Sequence, residues 1–360
     1  MDKGYRVDAV YTDYAKAFDK ISHKILIKKL AYFGIHGDLL RWMESYLRNR
    51  SQAVAIKGYT SNFVPITSGV PQGSHLGPLM FNIFINDVVS CFKHSRVLLY
   101  ADDKKIFCIV RTISDCINMQ KDLDDLCDYC TKNKLHLNVD KCQTISFSRK
   151  KKLSLFSYSL FGKTLKRVDE VKDLGLILDR ELTFANHISS ICNKSFKILG
   201  FLFRQANDFK QPITYTILYN SLVRSVLEYA STVWNPFYFK YIDMLEKIQN
   251  KFLKRLQYKF TNIDKTKILS LDKRRGLKDE ILLYKIIHNM IDSPYLLSQI
   301  LFRCPSRTRS SSTFDTAVCR SSYAKNRFIV RACKNHNLNF NQVDIFNIKF
   351  EAFAATIKEI

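Results

Sequence analysis

Three aspartates stand out in this basic chain. Asp13 ends a stretch in which Val7, Ala9, Tyr11 and Asp13 alternate with Asp8, Val10 and Thr12, the period of a β-strand. Asp102 and Asp103 interrupt a second strand signal, after Val97, Leu98, Leu99 and Tyr100 and before Ile106, Phe107, Ile109 and Val110. Adjacent carboxylates at a strand tip rich in Leu and Tyr are costly, because like charges repel and burial penalises both. One answer is an ordinary polar turn, which favours Asp. The other is a cluster drawn from both strands and neutralised by divalent cations. Two Mg²⁺ ions about 3.5–4 Å apart can activate a hydroxyl and stabilise a leaving pyrophosphate in an in-line displacement. The carboxylates alone leave both answers open.

The elements around the acids read as a mixed α+β unit. A helix opens at Ser22, with Leu26, Ile27, Leu30 and Phe33 on its apolar face and Gly34 past its end. A second, from about Asp38, puts Leu39, Leu40, Met43 and Leu47 on one side, and residues 51–67 read as a hairpin around Lys57-Gly58. The loop Ser68-Gly69-Val70-Pro71-Gln72-Gly73-Ser74 leads into an apolar helix from about Leu79 to Val89, and another helix spans about Ser114 to Asn133. Short strands to about residue 180 complete the unit. Beyond residue 185 the pattern is helical: Leu218, Leu222, Val226, Ala230 and Val233 suggest one face, and Leu245, Ile248, Phe252 and Leu256 another. Lys247, Lys251 and Lys254 form a basic stripe, either a solvated face or a contact for a polyanion.

Composition narrows the partner. Fifty-seven Lys and Arg against 33 Asp and Glu leave a net charge of +24, which calls for nucleic acid before an anionic surface. The hydrophobic content of 46% excludes a disordered chain. The ten cysteines are scattered, and Cys127 and Cys130, the one CxxC, have no second pair at zinc-ribbon spacing and read as helix thiols. The start carries no signal peptide and no run of about 18 apolar residues occurs, so a membrane partner is not expected and the chain reads as intracellular, in nucleus or cytoplasm.

Four ordered motifs choose between the answers left open. Asp13-Tyr14-Ala15-Lys16-Ala17-Phe18-Asp19, the loop 68–74 with Leu76-Gly77-Pro78, Tyr100-Ala101-Asp102-Asp103, and Asn133, Leu135, Leu137-Asn138 with Lys141-Cys142 follow in that order. Together they resemble the reverse transcriptase of non-LTR (LINE-type, jockey/CR1-like) retrotransposons. Asp173-Leu174-Gly175 with Asp179, Leu182, Phe184 and His187, then Arg224-Ser225, Leu227-Glu228-Tyr229 and Trp234, extend the likeness over at least residues 5–260. A metal-dependent nuclease using the same acids would explain neither Phe18 nor the glycine loop.

The resemblance implies an α+β fold, a right-hand polymerase palm with a mixed sheet and helices, followed by a helical thumb. Its domains would be the palm at 1–147, a strand-rich primer-grip region at 148–185, the thumb at 186–290 and a basic extension at 291–360. It implies RNA-directed DNA polymerase activity with Mg²⁺, two ions, or Mn²⁺, acting on an RNA template, a DNA primer and deoxynucleoside triphosphates. Asp13 and Asp102 would be the principal metal ligands, with Asp103 as third acid and the main-chain carbonyl of Tyr14 as a further ligand. Phe18 would be a steric gate against the nucleotide 2′-hydroxyl, Gln72 and Gly73 would meet the nucleotide or template, and Lys141 would protonate pyrophosphate. Asp173, Leu174 and Gly175 would form the primer grip, and Lys247, Lys251 and Lys254 would follow duplex phosphates. The Arg303–His336 segment, with Phe314, Tyr323 and Phe328 as stacking surfaces, would either track nucleic acid or be a disordered basic tail. Only twelve residues precede Asp13, so the family's fingers and endonuclease are expected to be missing, and an inactive remnant that only binds nucleic acid is the alternative.

Overall fold

A computed structural model describes residues 4–150, 153–260, 268–303, 312–316, 318–319 and 321–359. The chain divides into two compact units, Lys3–Val171 with Arg180–Leu182, and Lys172–Asp179 with Thr183–Ile360. The first begins with β1 (Arg6–Thr12), a 3₁₀ turn (Ala17–Asp19), α1 (His23–Tyr32) and α2 (Gly37–Leu47). Next come four short strands, β2 (Ser51–Gln52), β3 (Ala55–Ile56), β4 (Tyr59–Thr60) and β5 (Val64–Pro65), then α3 (Leu76–Ile85) and a 3₁₀ stretch (Asn86–Cys91). β6 (Arg96–Tyr100), β7 (Asp103–Val110), α4 (Ile113–Lys132), β8 (Gln143–Phe147), β9 (Ser159–Leu160), β10 (Lys163–Thr164) and β11 (Lys166–Arg167) complete it.

The alternation read at residues 7–13 becomes the centre of a five-stranded sheet, in the order β11-β8-β1-β7-β6. β1 runs antiparallel to both β7 and β8, and Ala9 and Val10 are fully buried, as a central strand requires. The face bearing Val10 and Ile106 is covered by α1 through Leu26 and Leu30, by α3 through Phe81 and Phe84, and by α4 through Met119 and Leu123. Cys130, fully buried, belongs to that same core. Asp8 is buried on β1 but satisfied: Arg6 lies 3.0 Å away, and the hydroxyls of Ser146 and Tyr158 donate to it at 2.6 and 2.9 Å. A second buried carboxylate, Asp122 on α4, accepts the backbone N–H groups of Lys93, His94 and Ser95, fixing where β6 starts.

The second unit is mainly helical. After the hairpin β12 (Glu170–Asp173) and β13 (Leu176–Asp179) come α5 (Ala185–Gln205), α6 (Pro212–Leu218), a π-helical stretch (Tyr219–Arg224), α7 (Ser225–Glu228) and α8 (Ser231–Trp234). They lead to α9 (Phe239–Lys259), α10 (Leu271–Ile287), α11 (Pro294–Leu297), the strand pair β14 (Leu301–Phe302) and β15 (Phe314–Asp315), α12 (Ser322–Lys325), α13 (Phe328–Asn335) and α14 (Phe350–Glu359). Leu245, Ile248, Phe252 and Leu256 are buried on α9, on the face their spacing predicts. The stretch from 218 to 233 differs. Its buried face is Tyr215, Tyr219, Val223 and Leu227, whereas Leu222 and Val233 are exposed. The buried set keeps the four-residue step but lies one position further along than Leu218, Leu222 and Val226, and Ala230, at φ 49°, ends the helix before the step to Val233.

Residues past 291 contribute a core of their own around α10. Phe353 stacks on Tyr284 at 4.6 Å, and the Tyr284 hydroxyl donates to the Ile348 carbonyl at 2.6 Å. Phe314 is no stacking surface for a base: it is buried, edge-on to His336 at 5.1 Å, because its large apolar area is worth more inside this core than in water. Tyr323 and Phe328 are half-buried. Residues 304–311, 317 and 320 of the expected basic tract lie outside the described residues. Among the described residues no helix is long and apolar enough to cross a membrane.

Candidate active site

Strand register gathers the acids. β1 and β7 pair as far as Thr12 opposite Lys104, so Asp13 and Asp103, each one residue past that last pair, stand at the same end of the sheet. β6 and β7 pair up to Tyr100 opposite Asp103, leaving Ala101 and Asp102 as the turn between them, with Ala101 at φ 53°. Side chains alternate across a sheet, so Asp13 and Asp103 share the face opposite Tyr14 and Lys104, which point into the helix-covered core. The tip itself is not buried: Tyr100 is 68% and Leu98 57% exposed, because β6 is an edge strand. The burial cost that the sequence suggested therefore falls away, and mutual repulsion is the charge problem that remains.

Lys141 meets part of that repulsion. Its Nζ lies 3.4 Å from Asp13 Oδ2. The segment carrying it is stitched to the end of β1, with Ala15 N–H donating to His136 O at 2.7 Å and Asn138 N–H to Asp13 O at 2.8 Å. Lys141 N–H then donates to Asn138 O at 3.0 Å, which closes the turn that presents the side chain. Among the described residues no three acid, His or Cys groups converge into a cage for a metal ion. Mg²⁺ at a phosphoryl-transfer site needs no such cage, taking one or two carboxylates and completing its octahedron with phosphate oxygens and water. Hard carboxylate oxygens at exposed strand ends are a donor set that fits this demand.

The glycine loop is tied to the turn after β1. Gly69 N–H donates to Ile21 O and Val70 N–H to Phe18 O, each at 2.8 Å. Gly69 sits at φ 86°, and a Cβ there would lie 2.7 Å from the Asp19 carbonyl oxygen, so only glycine permits this approach. Gly69→Ala should cost roughly 1–3 kcal/mol from the backbone conformation alone, measured by urea unfolding; an unchanged midpoint would show that the loop can move away freely. Phe18 is half-buried and stacks on Phe81 with ring centroids 4.5 Å apart. Gln72 is exposed, and its Nε2 donates to Asp19 Oδ1 at 2.8 Å; Gly73 is exposed at φ 79°.

Two residues of this region escaped sequence reasoning. Asp19, inside the first motif, is the acceptor that orients Gln72, and nothing in a linear reading links positions 53 residues apart. Lys104 is almost fully buried behind the acids, its ammonium donating to the Tyr14 hydroxyl and lying 4.3 Å from the centre of that ring. Burial pushes its ammonium down to about 8. The available signal was parity: if Asp103 faces outward on a strand, the next residue faces in.

In the second unit, Asp173 ends β12 and Leu174-Gly175 form the turn to β13, with Leu174 at φ 44° and Gly175 at φ 85°. Tyr229 braces it. Its hydroxyl donates to Leu174 O at 3.0 Å, and its ring edge lies 3.3 Å from where a Gly175 Cβ would stand. Tyr229→Phe should destabilise the unit by about 0.5–1.5 kcal/mol in a denaturant titration, and no loss would remove the hydroxyl as a support. Asp179 starts α5 by accepting the N–H groups of Thr183 and Phe184 at 3.0 and 2.7 Å. His187 lies buried edge-on to Trp234, which donates its indole N–H to Tyr229 O at 2.8 Å. Lys247, Lys251 and Lys254 are exposed on α9; Lys247 pairs with Asp243 at 2.7 Å, and Lys251 lies 5.4 Å from the Phe196 ring centre.

Comparison with known proteins identifies the family. Residues 6–203, more than half of the chain, match the family model described as reverse transcriptase (RNA-dependent DNA polymerase). The RNA-directed DNA polymerase from mobile element jockey of Drosophila melanogaster is 28% identical over 267 residues, 71% of this chain and 29% of the relative. The probable RNA-directed DNA polymerase from transposon X-element, also of Drosophila melanogaster, is 24% identical over 68% of this chain and 27% of its own length. The chain thus spans under a third of the curated relatives it matches. Among solved structures, apo telomerase from Candida Tropicalis matches with a TM-score of 0.41 at 13% identity, over 76% of this chain and 45% of that one, too distant a likeness to add weight. From the family match and the ordered motifs around Asp13, Gln72 and Asp102, the chain belongs to the reverse transcriptase (RNA-dependent DNA polymerase) family.

Proposed function

We propose that this chain carries out RNA-directed DNA synthesis, adding deoxynucleotides to a primer 3′-hydroxyl paired to an RNA template. The observation that carries the reading is the register that puts Asp13 and Asp103 at the same end of the sheet with Asp102 in the adjoining turn, on the face away from the helices. The family generally works with divalent metal ions, and two Mg²⁺ ions, or Mn²⁺ in their place, would be held by Asp13, Asp102, Asp103 and the Tyr14 carbonyl. Bound there, the ions would activate the 3′-hydroxyl and stabilise the pyrophosphate leaving group.

The chain's own groups supply the rest. Lys141, already beside Asp13, is poised to give a proton to the departing pyrophosphate. Phe18, held against Phe81, would bar a 2′-hydroxyl. Gln72, oriented by Asp19, and Gly73 would meet the incoming nucleotide or the template base. In the second unit the Asp173-Leu174-Gly175 turn would hold the primer strand, and Lys247, Lys251 and Lys254 would neutralise duplex phosphates. Replacing those three lysines by Ala should make the salt dependence of RNA–DNA hybrid binding shallower by roughly 2–3 in the logarithmic slope, at about 0.7–0.9 per phosphate contact. An equal slope would return the stripe to a solvated face.

The decisive test is extension of a DNA primer on an RNA template with deoxynucleotides and Mg²⁺ or Mn²⁺, using the 360-residue chain. Metal-dependent extension supports the proposal. Tight hybrid binding by a folded protein, with no extension under either metal, overturns it.

A further inference from the structure

The first unit also holds a cavity of about 750 Å³, lined in part by the glycine loop. One wall is the turn after β1, with Lys16 and Lys20; the other is the region between α2 and β5, with Arg50; Gln72 stands on its lining too. The charges there are unmatched. Asp19 spends one oxygen on Gln72, and no carboxylate pairs with Lys16, Lys20 or Arg50 among the described residues. The acids of α2 are already taken, Asp38 by Arg41 and Glu44 by Arg48.

A ladder leads into this cavity. Along α2, Trp42 stacks on Tyr46 with centroids 6.0 Å apart and the rings 26° from parallel, and four residues on, the Arg50 guanidinium lies 5.4 Å from the Tyr46 ring centre. Trp42 is 52% exposed, so its stacking surface is open to solvent. Helical spacing sets Trp42 and Tyr46 one above the other, and Arg50 reaches the Tyr46 ring from beyond the end of α2. Flat aromatic faces that continue into a row of unpaired cations are the two components of a single-strand platform, one for bases and one for phosphates. A protein interface would share the Trp, Tyr and Arg but is depleted in Lys, so the unpaired Lys16 and Lys20 are what favour a polyanion.

We infer that the Trp42–Tyr46–Arg50 ladder and the cavity lined by Lys16 and Lys20 bind single-stranded RNA, guiding unpaired template toward Gln72. The inference rests on the polymerase reading for the word template, but the binding it asserts is separable from catalysis. Phosphates could come from RNA or from a nucleoside triphosphate, and the experiment distinguishes them.

The chain has two tryptophans, and Trp234 is buried, so Trp42 provides the accessible emission. A 12-nucleotide oligouridylate should quench tryptophan fluorescence of the wild type, and Trp42→Phe should abolish the quench and weaken binding about tenfold. Lys16→Gln, Lys20→Gln and Arg50→Gln together should lower the salt slope for this RNA by about 2, at roughly 0.7 per single-strand phosphate. The same variant should bind a blunt RNA–DNA hybrid within about twofold of wild type, with circular dichroism confirming the fold. A quench that survives in Trp42→Phe, an unchanged slope, equal loss for hybrid and single strand, or displacement of the oligouridylate by millimolar deoxynucleotide would each overturn the inference. Quench and slope change without any primer extension would instead leave the single-strand site standing and sink the polymerase reading.

Discussion

Asp102→Asn should bind an RNA–DNA hybrid as the wild type does and extend it at least about 10²–10³-fold more slowly, the cost of removing one preorganised electrostatic group from a reacting centre. The substitution keeps the volume and the turn, since Asp102 is only half-buried and lies outside the paired residues of β6 and β7. What it removes is a negative charge where cations must be gathered. Asp13→Asn should fail as severely and for a second reason, because the amide also releases Lys141 from the partner that now holds it at 3.4 Å. The double variant should be little worse than either single one, since groups that act as a unit are far from additive. The measurement is single-turnover extension at saturating hybrid, beside hybrid affinity by anisotropy. Extension by Asp102→Asn within tenfold of wild type would end the case for a metal site at this turn, whatever the register shows.

How far the site could be read from the sequence depended on range. Period-two alternation located β1, and its order relative to Tyr100-Ala101-Asp102-Asp103 suggested one sheet; the pairing of Thr12 with Lys104 is what brings the acids together. Pairing between positions some ninety residues apart leaves no local mark, and only the motif order hinted at it. The exposed hairpin tip was misread because Leu98, Leu99 and Tyr100 look apolar in sequence, while an edge strand leaves alternate side chains in water. Face assignment failed differently at residues 218–233, where the four-residue step was right but one position out of phase, Tyr219, Val223 and Leu227 being buried rather than Leu218, Leu222 and Val226. Polar partnerships were least visible. Asp19 with Gln72, Tyr229 with Leu174 and Asp122 with residues 93–95 each join distant positions, and each fixes a loop that the motifs could name but not place.

Phe18→Val should lower discrimination against ribonucleotides by about 10²-fold, the range over which a pocket tells apart ligands differing by one hydroxyl. Phe18 is well prepared for such a task. Its ring lies on that of Phe81, which is fully buried on α3, and its carbonyl accepts the Val70 N–H, so ring and backbone are held from two sides. A fixed ring excludes an added oxygen; a mobile one would yield to it. The readout is the ratio of kcat/KM for a deoxynucleotide to that for its ribonucleotide, because packing alone would not move it. If Phe18 serves only the core, Phe18→Val slows both substrates together and lowers the unfolding midpoint with the ratio unchanged. Phe81→Leu supplies the intermediate case. It touches no nucleotide and roughly keeps core volume but removes the stacked support, so it should erode the ratio several-fold, less than Phe18→Val does. A ratio untouched by Phe81→Leu but collapsed by Phe18→Val would assign the gate to the ring alone, and a ratio untouched by both would leave the selection of sugar to another part of the chain.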